Sequence, residues 1–81
     1  MATVLLFGRL QDIAGWRERS VEPTPSTLAA LLDLLAAEDE ALGEALRQPA
    51  VRVAVDRKIA PGDASLAAAR EIAFMPPMSG G

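Results

Sequence analysis

Residues 23–37, PTPSTLAALLDLLAA, decide the fold of this 81-residue chain. Pro23 and Pro25 end any extended segment before them, because proline lacks the N–H that a strand ladder needs. Ser26 is placed to cap a helix, and Thr24 with Pro25 at the first helical position is the alternative cap. From there Leu28, Leu31, Leu32 and Leu35 follow the i, i+3, i+4, i+7 rule, so a stripe of leucines faces a core while Asp33 points away. Such a stripe must be buried against something, and the flanking segments say what.

Upstream, Thr3 to Arg9 reads as a strand with Val4 and Leu6 on one face and Leu5 and Phe7 on the other. Both faces are apolar, so the strand is either central and covered twice or has one face reserved for a partner. Leu10 to Ala14 fits a short helical turn ending at Gly15, and Trp16 to Glu22 fits a second, amphipathic strand. Downstream, a second helix is expected from about Glu40 to Arg47, with Leu42, Ala45 and Leu46 inward and Pro49 beyond its end. Val51, Val53 and Val55 alternate with Arg52, Ala54 and Asp56, the period of a strand with one buried face. Asp56-Arg57 turns the chain into a very short strand at Lys58, Ile59 and Ala60, which the turn Pro61-Gly62-Asp63 ends. Leu66 anchors the loop that follows. The last strand, Arg70 to Met75, puts Ile72 and Phe74 on one face and Ala73 and Met75 on the other.

The order β, β, α, short strands, β implies an α+β domain with one mixed sheet wrapped on the leucine-striped helix, the β-grasp arrangement. First and last strands would lie side by side. The helix would cover Val4, Leu6, Ile72 and Phe74 and leave Leu5, Phe7, Ile59 and Met75 on the opposite sheet face. Residues 1–75 would form the domain and residues 76–81 an extended tail.

Composition narrows the function. Hydrophobic residues make up 51% of the chain and charged residues 23%, ordinary for a globular domain. There is no Cys and no His. Disulfides, Cys/His metal sites, Ser-His and Cys-His nucleophile pairs and imidazole acid–base chemistry are therefore unavailable within the chain. A formal charge of -3 disfavours nucleic acid as a partner. The longest apolar stretch, Leu28 to Ala37, is interrupted by Asp33, so neither secretion nor membrane spanning is expected and the cytoplasm is the default. The run Glu38, Asp39, Glu40 reads as a solvated helix end, and Gly8, Gly15 and Gly43 are too scattered for a phosphate-cradling loop.

What remains is the tail, Met75-Pro76-Pro77-Met78-Ser79-Gly80-Gly81. The two prolines hold the exit in extended polyproline geometry, pointing off the body. The six residues from Pro76 span at most roughly 20 Å, enough to enter a partner's buried site. Gly80 and Gly81 have no side chains, so the backbone fits a narrow channel and the terminal carboxylate becomes deliverable.

Taken with Val4-Leu5-Leu6-Phe7-Gly8-Arg9-Leu10, Ile13-Ala14-Gly15, Val53-Ala54-Val55 and the block Glu71-Ile72-Ala73-Phe74 before it, this tail resembles that of the small subunit of molybdopterin synthase, a ubiquitin-like sulfur carrier. The resemblance runs the full length. Thiamine-pathway relatives share the Gly-Gly end but generally lack the Phe-x-Pro-Pro approach. Two departures concern loops: Ala69-Arg70 replaces a usual Gly-Asp turn, so no positive φ is expected there, and Asp56 replaces a more typical Asn.

The resemblance implies that a ubiquitin-activating-type adenylyltransferase joins the Gly81 carboxylate to AMP from MgATP, and that a sulfur donor protein converts it to a thiocarboxylate. The chain itself would bind no cofactor and catalyse nothing. Sulfur would then pass, inside the large synthase subunit of a heterotetramer, to cyclic pyranopterin monophosphate during molybdenum cofactor biosynthesis. Gly81 takes the chemical role, Gly80 and Ser79 pass through the partner's channel, and Phe7, Ile59, Met75, Pro76 and Pro77 dock the partner. Three alternatives stay open: a carrier for thiamine or cysteine biosynthesis, a modifier that forms amides with lysines on target proteins, and a binding module with an inert tail.

Overall fold

The computed structural model describes residues 2–60 and 63–76. Eight elements follow in order: β1 (Ala2–Leu6), α1 (Arg9–Ala14), β2 (Glu18–Val21), α2 (Leu28–Glu38), α3 (Glu40–Leu46), β3 (Arg52–Val55), β4 (Lys58–Ile59) and β5 (Glu71–Met75). The strands form one sheet in the order β2-β1-β5-β3-β4. β1 and β5 pair in parallel, whereas β1–β2, β3–β5 and β3–β4 are antiparallel. This is the expected mixed sheet of a ubiquitin-like β-grasp fold, with the first and last strands adjacent at its centre.

Val4 lies opposite Ile72 and Leu6 opposite Phe74, and all four are fully buried. The helical layer meets them with Leu28, Leu31 and Leu35 of α2, Leu42 and Leu46 of α3 and Leu10 of α1, joined by Val21 and Leu66 in one core. Leu32 is only partly buried against it. Val51, Val53 and Val55 also pack on the core but remain half-buried. Their strand lies next to the sheet edge, where its outer neighbour β4 is two residues long.

Two boundaries differ in ways that have a clear physical cause. The first strand stops at Leu6 rather than Arg9, because Gly8 (φ 55°, ψ -133°) breaks the extended path and Arg9 already opens α1. That helix ends as expected at Gly15, whose φ of 82° is the left-handed conformation glycine adopts at little cost. The cap of α2 is Thr27, which accepts a 3.1 Å hydrogen bond from the Ala30 N–H; neither Ser26 nor Thr24 fills the role. The cause is non-local. Leu28 N–H donates to Ala64 O and Leu66 N–H donates to Ser26 O, each at 2.8 Å, so the loop before β5 clamps residues 26–28 and sets where the helix begins.

The Asp56-Arg57 turn has φ of 50° and 71° at its two residues, the pattern of a tight hairpin turn. Asp56 stabilises it by accepting the Arg70 and Glu71 N–H groups at 2.9 and 3.0 Å. Neither Ala69 nor Arg70 has positive φ, as expected. Pro61 and Gly62 of the expected turn lie outside the described residues. The acidic run is a helix junction: Asp39 caps α3 by accepting the Leu42 N–H, while Glu38 pairs with Arg19 of β2.

At Gly43, α3 packs closely against Ala36 of α2. A Cβ there would lie 2.4 Å from Ala36 Cβ and 2.7 Å from Ala36 Cα, so the helices can only accept it by separating. Alanine is favoured over glycine in a helix by about 1 kcal/mol, but overpacking costs about 1–3 kcal/mol and here the obstacle is backbone. Gly43→Ala is therefore expected to lower stability by about 1–2 kcal/mol in denaturant unfolding. A gain in stability would show that α3 is free to shift.

Candidate functional site

The site is built where the central strand β5 ends. Its side chains alternate as the sequence requires, with Ile72 and Phe74 in the core and Ala73 and Met75 on the outer face. Strand pairing carries that alternation across the sheet. One outer row runs Glu18, Leu5, Ala73, Ala54, Ile59. The next contains Met75 opposite Arg52, and Phe7 continues β1 beside Met75, its N–H donating to Phe74 O at 3.1 Å.

Of the expected docking residues, Ile59 is 62% exposed and Phe7 44%. Met75 and Pro76 are half-buried. Leu5 is also half-buried, and Ala54 and Ala73, at 8% and 6%, form the floor between the larger side chains. The structure thus brings Phe7, Met75 and Pro76 together at the end of β5 and puts Ile59 on the same face at the far edge of the sheet. Pro77, Ser79, Gly80 and Gly81 lie outside the described residues.

The outer face carries charge at its margins, from Arg52 beside Met75 and Glu18 beside Leu5. An open cleft lined by Asp56, Arg57, Arg70 and Glu71 lies at the start of β5, away from Pro76. Among the described residues there is no cluster of three acidic or metal-binding side chains that could hold a metal ion, and no helix long and apolar enough to cross a membrane. Gly81, given the chemical role in the sequence, is not among the described residues, which comprise the sheet face and the strand end at Met75 and Pro76.

Sequence reading missed Gly8 as part of this platform. A Cβ on Gly8 would lie 2.9 Å from Pro76 Cγ, so the turn after β1 and the first tail residue are in contact. A glycine directly after the apolar run 4–7 was the available signal.

Comparison with known proteins agrees with the fold. No curated protein matches the chain. The crystal structure of SAMP1 from Haloferax volcanii superposes with a TM-score of 0.80 at 28% identity, covering 99% of this chain and 98% of that one. A second structure, H. volcanii small archaeal modifier protein 1, gives 0.71 at 26% identity, covering 96% and 100%. The ThiS family model matches residues 4–81. The chain belongs to the ThiS family, with the ubiquitin-like fold of its sulfur carriers and modifiers.

Proposed function

We propose that this chain is the sulfur-carrying subunit of a molybdopterin synthase, a body of residues 1–75 presenting the Gly81 carboxylate on a tail of residues 76–81. The observation that supports it most is the extent of the family match, which runs through Gly81. The Pro76-Pro77 approach favours the molybdopterin branch.

The chemistry follows from what a carboxylate lacks. It resists nucleophiles, so an activating partner must first join it to AMP, releasing pyrophosphate from the MgATP that the partner binds. Persulfide sulfur of a donor protein then displaces AMP, and a thiol cleaves the remaining S–S bond to leave the Gly81 thiocarboxylate. Sulfur is a better nucleophile than the oxygen it replaces, as thiolates show. In the large synthase subunit that sulfur attacks the pterin precursor, and hydrolysis of the acyl–sulfur bond restores the carboxylate. The need for ATP and for a free thiol to cleave the S–S bond favours a cytoplasmic cycle.

The outer sheet face is the docking surface in this reading. Phe7→Glu and Ile59→Glu remove exposed side chains and should change folding stability by no more than about 0.5 kcal/mol. Apolar residues near an interface centre often contribute over 1 kcal/mol each, so affinity for the large subunit should fall at least about tenfold. Melting temperature and affinity are measured on the same variants. If Phe7→Glu unfolds the protein, Phe7 belongs to the core; unchanged affinity would mean that the tail alone docks.

The likeness to SAMP1 favours a second reading, a protein modifier joined through Gly81 to lysines of other proteins. Intact mass of the chain from native cells decides. Replacement of one carboxylate oxygen by sulfur, with dithiolene formation on adding a large synthase subunit, supports the carrier. Isopeptide-linked conjugates with no such mass change favour the modifier.

A further inference from the structure

We propose that Gly8 is a positioning residue for the tail: its bare Cα seats the Pro76 ring and so fixes the direction in which the chain leaves the sheet. This deepens the proposed function and rests on it, because direction matters only if the tail delivers a reactive group.

The parallel ladder between β1 and β5 is continued past Leu6 by Phe7 N–H, which donates to Phe74 O at 3.1 Å. In a parallel ladder the next rung would run from the N–H of residue 76 to the carbonyl of Phe7. Pro76 has no N–H, so the ladder stops there. The freed Phe7 carbonyl instead accepts from Leu10 N–H at 3.2 Å, and Gly8 O accepts from Gln11 N–H at 3.2 Å. The turn beside Pro76 is thereby tied into the first turn of α1.

Two independent constraints then select glycine at position 8. Its φ of 55° with ψ of -133° is closed to L-residues without strain. Separately, a Cβ would stand 2.9 Å from Pro76 Cγ and 3.6 Å from Cδ. A long side chain could swing its tip far away, whereas the proline ring is closed on its own backbone and can shift Cγ only by a change of pucker. The root of the tail is therefore held on one side by the Phe7–Phe74 hydrogen bond and on the other by Gly8. Leverage makes this consequential: a tilt of about 20° at the root would move the end of a fully extended five-residue chain by roughly 6 Å. Reacting atoms must come within about 3–3.5 Å of one another.

The test treats the carrier as substrate of its cognate activating enzyme, with KM reporting docking of the body and kcat reporting arrival of the carboxylate. Gly8→Ala should lower kcat by about tenfold to a hundredfold with KM within about twofold. Gly8→D-Ala, made by chemical synthesis of the full chain, suits the positive φ and carries its methyl on the other side of Cα, away from Pro76. It should behave as the unaltered protein. Pro76→N-methyl-Ala, made by the same synthesis, lacks the ring but like proline has no N–H to extend the ladder; it should lower kcat as Gly8→Ala does while leaving the melting temperature unchanged. Combining it with Gly8→Ala should be no worse than the poorer single variant, since both remove one contact.

Equal losses from the L- and D-alanine variants would overturn the seat, as would a normal kcat for Pro76→N-methyl-Ala; the latter decides the matter even if Gly8→Ala fails to fold. In the free protein, NMR should show a nuclear Overhauser effect between the Gly8 α-protons and the Pro76 γ-protons, and its absence also overturns the seat. If that signal is present but the unaltered chain is never adenylated, the functional reading has failed and the positioning role with it, whereas the contact itself stands.

Discussion

Leu31→Ala should lower the free energy of unfolding by about 2–5 kcal/mol. Leu31 is fully buried on α2, within the core formed with Val4, Leu6, Ile72 and Phe74. Those four are held by the β1–β5 ladder at the sheet centre, so the surroundings cannot readily collapse into the space left by the lost side chain, and a retained cavity adds to the lost transfer energy. Small domains often have no more than about 5 kcal/mol in total, and this chain has no Cys or His with which to reinforce its core. Partial unfolding at room temperature is therefore the expected result, seen as a lower urea midpoint with little change in slope. Leu32→Ala, at a half-buried position, should cost less. A loss well under about 1 kcal/mol for Leu31→Ala would mean that the leucine stripe is not the core face.

The elements legible in the sequence were those whose burial is periodic. Alternation in residues 3–7 and 70–75 placed Val4, Leu6, Ile72 and Phe74 in the core because a strand inside a covered sheet repeats with period two whatever its neighbours are. The leucines of α2 were legible for the same reason at period 3.6. The start of that helix was not. Ser26, Thr27 and Thr24 are all competent caps, and the choice of Thr27 follows from hydrogen bonds to Ala64 and Leu66, far along the chain. Likewise nothing local to Asp56 announces that its carboxylate accepts N–H groups from Arg70 and Glu71.

Of the candidate site, the sheet face was legible and its detailed geometry was not. Two apolar sides on the first strand implied that Leu5 and Phe7 lie away from the helices, and the row Leu5, Ala73, Ala54, Ile59 agrees. That Ala54 and Ala73 make its floor, and that Gly8 touches Pro76, depends on the strand register and on a turn conformation, neither of which has a periodic signature. Glycine at position 8 is compatible with many roles, and only the contact selects one.

Deleting Gly81, or Gly80 and Gly81 together, should leave the melting temperature unchanged and abolish activation and sulfur transfer. Among the described residues the core extends from Ala2 to Phe74, all before Pro76, so no core contact is expected to depend on the last two residues. The carboxylate, in contrast, is moved back along the chain by about 3.4 Å for each residue removed. Attack on the phosphorus of ATP tolerates errors of well under that distance, since a misplacement of about 1 Å can already cost a hundredfold. Gly81→Leu separates the two demands placed on the tail. It keeps both chain length and carboxylate, so loss of adenylation with unchanged folding would localise the defect to fit within the partner's channel. The readouts are melting temperature, pyrophosphate release with the activating enzyme, and dithiolene formation with the large subunit. Lower stability on deletion would make the tail a structural element, and full activity in Gly81→Leu would contradict a channel narrow enough to require glycine.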